Sequence, residues 1–187
     1  MNKAKELERK YEWFQAANYY ERASELKLND NDFSIFANCL EKEAFCYYRA
    51  AFQVQTNKEF EECLKLADQT CRNEITFLLN FLKDDNHIRI RKAEASIFYI
   101  QSWYETNPKN RKELLTTWWA LESQILKRYE ALEDLQSIGK LCNDMLEYTT
   151  YNRNWLTSNH SELKEIVEEC NILIQKAIHA NSQTNDD

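Results

Sequence analysis

The histidines, which are the side chains most often used for metal binding and proton transfer, do not form a recognisable site in this sequence. They are His87, His160 and His179, and none lies four residues from another, so the chain has no HExxH-type zinc helix. Asp84 and His87 have the carboxylate–histidine spacing of di-iron helical bundles, but such a site needs several glutamates and a second copy of the motif. We therefore interpret Asp84 as an acidic cap at the start of a helix.

The six cysteines are interpreted as reduced core thiols. None belongs to a C-x-x-C pair, and each falls within an otherwise helical, mostly apolar pattern, where a thiol acts as a small hydrophobic group. Cys39 and Cys46 are seven residues apart and share a helix face, so a metal or redox sensor that uses the cysteines is the alternative. The six positions are Cys39, Cys46, Cys63, Cys71, Cys142 and Cys170.

Glycine and proline are almost absent, and this scarcity excludes several classes of protein. The chain has one of each, Gly139 and Pro108, whereas an average chain of this length has roughly 13 glycines and 9 prolines. Hairpins and tight turns use these residues, so a β-rich fold is excluded. Neither a glycine-rich phosphate loop nor a glycine-flanked serine nucleophile can be built from one glycine. We expect an all-α protein that is not an enzyme and has no cofactor.

The charge of the chain indicates a soluble protein that does not bind nucleic acid. The 187 residues include 24 Lys and Arg against 31 Asp and Glu, a net charge of −7, and nucleic-acid binding generally needs a basic surface. No apolar run approaches the roughly 18 residues that cross a bilayer, so we expect no membrane insertion. The first ten residues are charged and lack the apolar region of a signal peptide, so we expect a cytoplasmic location.

Apolar periodicity, interrupted by short polar segments, predicts eight helices in one domain over residues 1–180, followed by a polar disordered tail over 181–187. Thr56 and Asn57 are expected to cap one helix, and Asn107 followed by Pro108 marks the start of another. The predicted helices cover residues 3–10, 14–26, 33–53, 58–81, 87–105, 108–135, 137–156 and 161–180.

A pattern of small and aromatic residues, A-x-x-Y-Y-x-x-A, occurs twice at an offset of 28 residues. A looser third copy spans residues 95–102, with Phe98 in place of the first tyrosine and Ser102 in place of the last alanine. We interpret each alanine as making room for a ring from a neighbouring helix, so that the helices stack in layers. The positions shared by the first two copies are Ala16, Tyr19, Tyr20 and Ala23, and Ala44, Tyr47, Tyr48 and Ala51.

The spacing of Ala16, Tyr20 and Ala23, repeated by Ala44, Tyr48 and Ala51, resembles the second helix of a tetratricopeptide repeat. Ala4 and Leu7 match the first helix of that unit, and Ile35 repeats the Leu7 match at the same offset. The period is 28 residues rather than the family's 34, and a residue near Tyr11 replaces the glycine between the paired helices. The chain is also similar to the helix-pair arrays of soluble vesicle-fusion attachment proteins. The resemblance implies antiparallel helix pairs stacked as a short α-solenoid; the alternative is an irregular helical bundle.

A helical array without a catalytic constellation favours a protein–protein interaction scaffold that binds a peptide or helix in a groove. Arg89, Arg91 and Lys92 form the densest basic run, which is typical of a solvated helix face; the alternative is a patch that docks an acidic peptide or a C-terminus. Trp118 and Trp119 point about 100° apart on a helix, so one of them can be core while the other is an interface anchor; the alternative is that both are packed between neighbouring helices. A structural subunit of a larger complex is a further alternative. The identity of the partner and the oligomeric state are left open.

Overall fold

The protein is all-α, as the sequence predicts. The computed structural model describes residues 1–81, 87–156 and seven single positions between Glu168 and Ser182, with the side chains of 87 and 148–156 outside this description. Within the described ranges every regular element is an α-helix. Apart from those single positions, the eighth predicted helix and the tail over 181–187 lie outside the described residues. The helices are α1 (Asn2–Arg9), α2 (Trp13–Asn29), α3 (Phe33–Ala51), α4 (Asn57–Phe81), α5 (His87–Tyr104), α6 (Pro108–Ala131) and α7 (Leu135–Leu156).

The chain divides into two compact units, Met1–Trp118 and Trp119–Asp187, and the boundary between them falls within α6. The prediction of a single domain over residues 1–180 stays a prediction. In the second unit, α6 and α7 each carry a buried apolar stripe at helical spacing. Leu121 and Ile125 belong to the stripe of α6, and Leu141 and Met145 to that of α7.

Consecutive helices of the first unit pack against one another from α1 to α5. The helices α2 and α3 run antiparallel, because Trp13 at the start of α2 contacts Phe45 in the second half of α3, with 5.7 Å between ring centroids. The helices α3 and α4 are antiparallel for a similar reason. The ring centroid of Phe36, in the first turn of α3, lies 4.4 Å from that of Phe77, near the end of α4. This first unit is therefore a stack of helices that reverse direction at each turn.

Three turns between helices share one geometry, and none of them contains glycine. Tyr11, Asn31 and Glu133 have φ angles of 60°, 56° and 55°, in the left-handed region where glycine is usual and a side chain costs roughly 1 kcal/mol. In each turn the next N–H donates to a carbonyl five residues earlier, which closes the end of the helix. These bonds are Glu12 to Leu7 (3.0 Å), Asp32 to Lys27 (2.9 Å) and Asp134 to Tyr129 (3.1 Å).

Side-chain caps fix where several of the helices begin. Thr56 and Glu59 form a capping box, in which the Glu59 N–H donates to Thr56 Oγ1 and the Thr56 N–H donates to the Glu59 carboxylate, both at 3.2 Å. Asn107 Oδ1 accepts from the Lys109 N–H at 2.9 Å, immediately before α6. The predicted cap at Thr56 and the predicted start at Asn107–Pro108 are therefore confirmed.

The first alanine of each of the first two copies of the pattern is buried, but these copies occupy different surroundings. Ala16 and Ala44 are 0% and 4% exposed. The Tyr20 hydroxyl donates a hydrogen bond to the Glu8 carboxylate of α1, whereas the Tyr48 ring packs against the Tyr99 ring on α5. The helix α3 is continuous, so the second 28-residue segment forms one helix rather than a helix pair. The first two copies therefore lie on neighbouring antiparallel helices.

The second and third copies of the pattern lie side by side on parallel helices. Three contacts of α5 with α3 and its C-terminal cap, Phe52, join residues 51 positions apart, and the third copy also follows the second by 51 residues. The small residues of the third copy, Ala95 and Ser102, are both 0% exposed. Matched positions therefore face each other along these two helices. The contacts are Lys92 to Glu41 (3.3 Å), Tyr48 to Tyr99 (5.8 Å between centroids) and Phe52 to Trp103 (5.0 Å).

Candidate binding groove

Within the first unit, α5 and the start of α6 meet on one side through aromatic contacts. The rings of Tyr99 and Trp118 are 5.3 Å apart. Nearer the turn, the guanidinium carbon of Arg111 lies 5.8 Å from the centre of the Trp103 ring, a cation–π arrangement. Burial lowers the pKa of Arg111. These contacts hold the two helices antiparallel and leave their opposite side open.

The open side of α5 and α6 forms a groove of about 490 Å³, which is within the range of ligand sites in proteins. The lining residues recur every three or four positions on each helix, so they belong to one face of α5 and one face of α6. Phe98 and Leu114 are half-buried and supply apolar surface. The residues that line the groove are Phe98, Gln101, Tyr104, Glu105, Asn110, Glu113, Leu114 and Thr117.

Hydrogen bonds fix several of the polar groups that line the groove. The Glu105 carboxylate accepts from the Asn107 N–H at 2.8 Å and from Asn110 Nδ2 at 3.4 Å, so it is held at the turn between the two helices. Gln101 Nε2 donates to Asp68 Oδ1 of α4 at 2.9 Å. The groove therefore has a defined polar rim rather than a set of freely rotating side chains.

The electrostatic character of the groove is acidic. Two of its eight lining residues are Glu105 and Glu113, and none is Lys, Arg or His. The pKa of the Tyr104 hydroxyl is raised by burial and by the nearby Asp68 carboxylate, so this hydroxyl stays neutral at physiological pH. A lining with two carboxylates, no cation and the apolar side chains of Phe98 and Leu114 suits a ligand that carries a positive charge beside an apolar group.

The basic run singled out in the sequence is matched by carboxylates of the same chain. Arg89, Arg91 and Lys92 lie in the first two turns of α5, whereas the groove begins at Phe98. Sequence reasoning did not identify the groove, and it did not foresee that each of these cations has an acidic partner. The role of the run in docking an acidic peptide stays a prediction. The ion pairs are Arg89 with Glu74 (3.5 Å) and Glu41 (3.7 Å), Arg91 with Glu94 (2.7 Å), and Lys92 with Glu41 (3.3 Å).

The two adjacent tryptophans differ in exposure. Trp118 is 3% exposed and packs against Tyr99, so its side chain supports the first unit instead of presenting a surface. Trp119 is half-buried. Trp118 is therefore the core member of the pair, and an interface-anchor role within the pair stays a prediction.

Two glutamates are buried in the first unit, which the sequence analysis did not predict. Glu43 on α3 accepts a hydrogen bond from Thr70 on α4 at 3.1 Å, and burial raises its pKa to about 7. Burial and the nearby Glu41 raise the pKa of Glu74 to about 8, although Arg89 acts in the opposite direction. Each glutamate lies three or four positions from buried apolar residues of its own helix, so it falls on the buried face. This spacing is the signal that could have predicted their burial.

The described cysteines do not have the properties of a reactive site. Cys39, Cys46, Cys63, Cys71 and Cys142 are buried and unpaired. Burial raises the pKa of each thiol, that of Cys46 to about 12, so the nucleophilic thiolate form is disfavoured. No group of three or more potential ligands that could hold a metal ion occurs among the described residues. Cys170 lies outside them.

The chain has no significant match among protein-family models, curated proteins or solved structures. The likeness to helical-repeat proteins therefore depends on the residues quoted above. In the part of the chain that the structure describes, no helix is both long enough and apolar enough to span a membrane.

Proposed function

We propose that this chain is a non-catalytic interaction scaffold that binds a segment of another protein in the groove between α5 and α6. The observation that carries this proposal is the lining of the groove, which combines the half-buried side chains of Phe98 and Leu114 with the carboxylates of Glu105 and Glu113 and contains no Lys, Arg or His. A volume of about 490 Å³ accommodates a few side chains of a helix or an extended peptide.

The acidic rim defines the chemistry of the proposed partner. A lysine or arginine that follows an apolar residue by three or four positions on a helix could approach Glu113 while the apolar side chain contacts Leu114. The opposite preference, for an acidic peptide, followed from the basic run on α5. The ion pairs of that run with Glu41, Glu74 and Glu94 favour the groove instead.

The stacked helices support the scaffold proposal at the level of the fold. Antiparallel neighbours and the parallel, in-register pair α3 and α5 are compatible with a short α-solenoid, and we propose that the tetratricopeptide-like pattern marks such an array. The acidic composition supports a protein partner rather than a nucleic acid. We propose a cytoplasmic location on the same compositional grounds. The raised pKa of the buried thiols does not favour the alternative of a cysteine-based sensor.

A selection from a displayed library of random peptides tests the proposed function. We expect the purified protein to enrich peptides in which basic residues flank an apolar one. Glu113→Lys should lower the affinity for the selected peptides by roughly tenfold or more, because a positive charge in the groove repels their basic residues. Leu114→Ala should weaken them through loss of apolar contact.

The control is Glu62→Lys, which makes the same charge change at an exposed position of α4. It should leave the affinity within about twofold of the wild-type value, since the ion pair of Glu62 with Lys58 is a long contact at the surface. If no basic peptide is enriched, or if Glu113→Lys and Glu62→Lys bind the selected peptides equally well, the groove is not the binding site.

A further inference from the structure

The side-chain amide of Gln101 in the groove is held by a carboxylate from the neighbouring helix α4. Its nitrogen, Nε2, donates to Asp68 Oδ1 at 2.9 Å. A carboxylate accepts hydrogen bonds and does not donate them, so only the nitrogen end of the amide can face Asp68. The carbonyl oxygen of the same amide, Oε1, has no hydrogen bond with any residue that the structure describes. Asp68 therefore engages the donor of Gln101 and leaves its acceptor available.

Asp68 is itself fixed by an arginine one helical turn further along α4. Arg72 Nε donates to Asp68 Oδ2 at 2.7 Å, and Arg72 Nη2 donates to Asp68 Oδ1 at 3.4 Å. The hydrogen bond with Asp68 raises the pKa of the Arg72 guanidinium. Because both oxygens of Asp68 have partners and its side chain is 14% exposed, the carboxylate has little freedom to turn away from Gln101.

Two further donors of the groove lining are also engaged within the protein. Asn110 Nδ2 donates to the Glu105 carboxylate at 3.4 Å, and Thr117 Oγ1 donates to the Glu113 backbone carbonyl at 2.9 Å. The lining thus presents mainly acceptors to a ligand, namely the carboxylates of Glu105 and Glu113 and the carbonyl oxygen of Gln101. Gln101 and Glu105 lie four positions apart on α5, so they are neighbours on one face of that helix. A positively charged group that carries several N–H donors matches this set.

We propose that Gln101 is a specificity-determining residue of the groove and that Asp68 is its positioning residue, so that the Gln101 carbonyl oxygen accepts a hydrogen bond from a lysine or arginine side chain of the bound segment. This inference rests on the proposed function of the groove. An amide attracts a cation through its oxygen and repels it through its N–H groups. Without Asp68 to hold the nitrogen, the amide turns either way and part of the attraction is lost.

A chemical-shift titration of the full chain with acetyl-leucyl-arginine amide tests the inference, because this dipeptide carries one apolar and one cationic side chain. We expect Gln101→Leu to lower the affinity by roughly fivefold or more, since leucine keeps the size of the side chain but lacks the acceptor. The control is Gln69→Leu on the exposed face of α4, where Gln69 Nε2 likewise donates, to Asn73 Oδ1 at 2.9 Å. It should leave the affinity within about twofold of the wild-type value.

Asp68 needs a second readout, because its negative charge also attracts a cation at a distance. We expect Asp68→Ala to weaken dipeptide binding by roughly threefold or more in the wild-type background, but by a clearly smaller factor when Gln101 is already replaced by leucine. A carboxylate that acts only through its charge, or only through the stability of the fold, gives the same factor in both backgrounds.

The inference is overturned if Gln101→Leu binds the dipeptide as tightly as wild type, or if the dipeptide shifts no resonance of the groove at about 10 mM. Equal factors for Asp68→Ala in the two backgrounds overturn the positioning role of Asp68. The longer peptides from the displayed library give a separate result for the groove itself. If they lose affinity with Glu113→Lys but not with Gln101→Leu, the groove remains the binding site and only the role of Gln101 is removed.

Discussion

Glu43→Gln is expected to remove a pH dependence that burial imposes on the stability of the first unit. Glu43 is 7% exposed and accepts a hydrogen bond from Thr70 Oγ1. Glutamine has nearly the same shape and keeps an acceptor oxygen for Thr70, but it cannot ionise. The substitution therefore changes the titration of this position while preserving its packing.

The sign and size of the effect follow from the pKa of the Glu43 carboxyl, which rises from 4.5 in the unfolded chain to about 7 in the folded protein. The folded state holds the proton more tightly, so this contribution to stability is complete below about pH 4.5 and is lost as the pH rises through 7. At 1.36 kcal/mol per pKa unit, the loss amounts to ~3 kcal/mol. Glu74, whose pKa is raised to about 8, also lowers the free energy of unfolding as the pH rises. It is present in both proteins, so its contribution cancels in the difference between them.

Urea unfolding of both proteins at about pH 5 and about pH 9 measures the effect. The free energy of unfolding of Glu43→Gln, relative to wild type, should rise by ~3 kcal/mol between these two conditions. Glu62→Gln, at an exposed position of α4, is the control and should follow wild type. The reasoning is refuted if the difference between Glu43→Gln and wild type is the same at both pH values.

Two further predictions concern the buried small residues and the thiols. Ala44→Leu should lower the free energy of unfolding by ~1–3 kcal/mol in the same urea titration, because Ala44 is 4% exposed among close-packed helices. The control, Ala120→Leu at an exposed position of α6, should have little effect. An Ala44→Leu protein as stable as wild type would contradict the packing role. The described cysteines, with Cys46 at a pKa of about 12, should react with a disulfide reagent far more slowly in the native protein than in urea, and rapid native labelling would show that they are accessible.

Most of the helix boundaries could be predicted because polar caps mark them in the sequence. The capping box at Thr56 and the Asn107–Pro108 start are local features, decided by side chains a few residues apart. The end of α6 was predicted at residue 135, but the helix ends at Ala131. Glu133 takes the left-handed conformation there. Without glycine or asparagine at that position, the sequence offers no signal for the turn.

The candidate groove could not be predicted, because it depends on how α5 and α6 lie against each other. Periodicity places Phe98 and Leu114 on helix faces but does not say which faces meet. The ion pairs of the basic run could not be predicted for a similar reason. Glu74 and Glu41, which pair with Arg89, precede it by 15 and 48 residues, so their proximity is a product of the fold. The repeated pattern indicated stacking of small residues against rings, but not which copies face each other.

The parallel register of α3 and α5 has a consequence for the order in which this unit assembles. Neighbouring antiparallel helices meet through short turns, so their contacts close small loops. The contacts of Tyr48 with Tyr99 and of Phe52 with Trp103 span 51 residues and require α4 to reverse the chain first. Loop closure of this length has a larger entropic cost. Nucleation is therefore expected in the local hairpins, with α5 joining the partly formed stack late and its aromatic side chains reporting the last stage of folding.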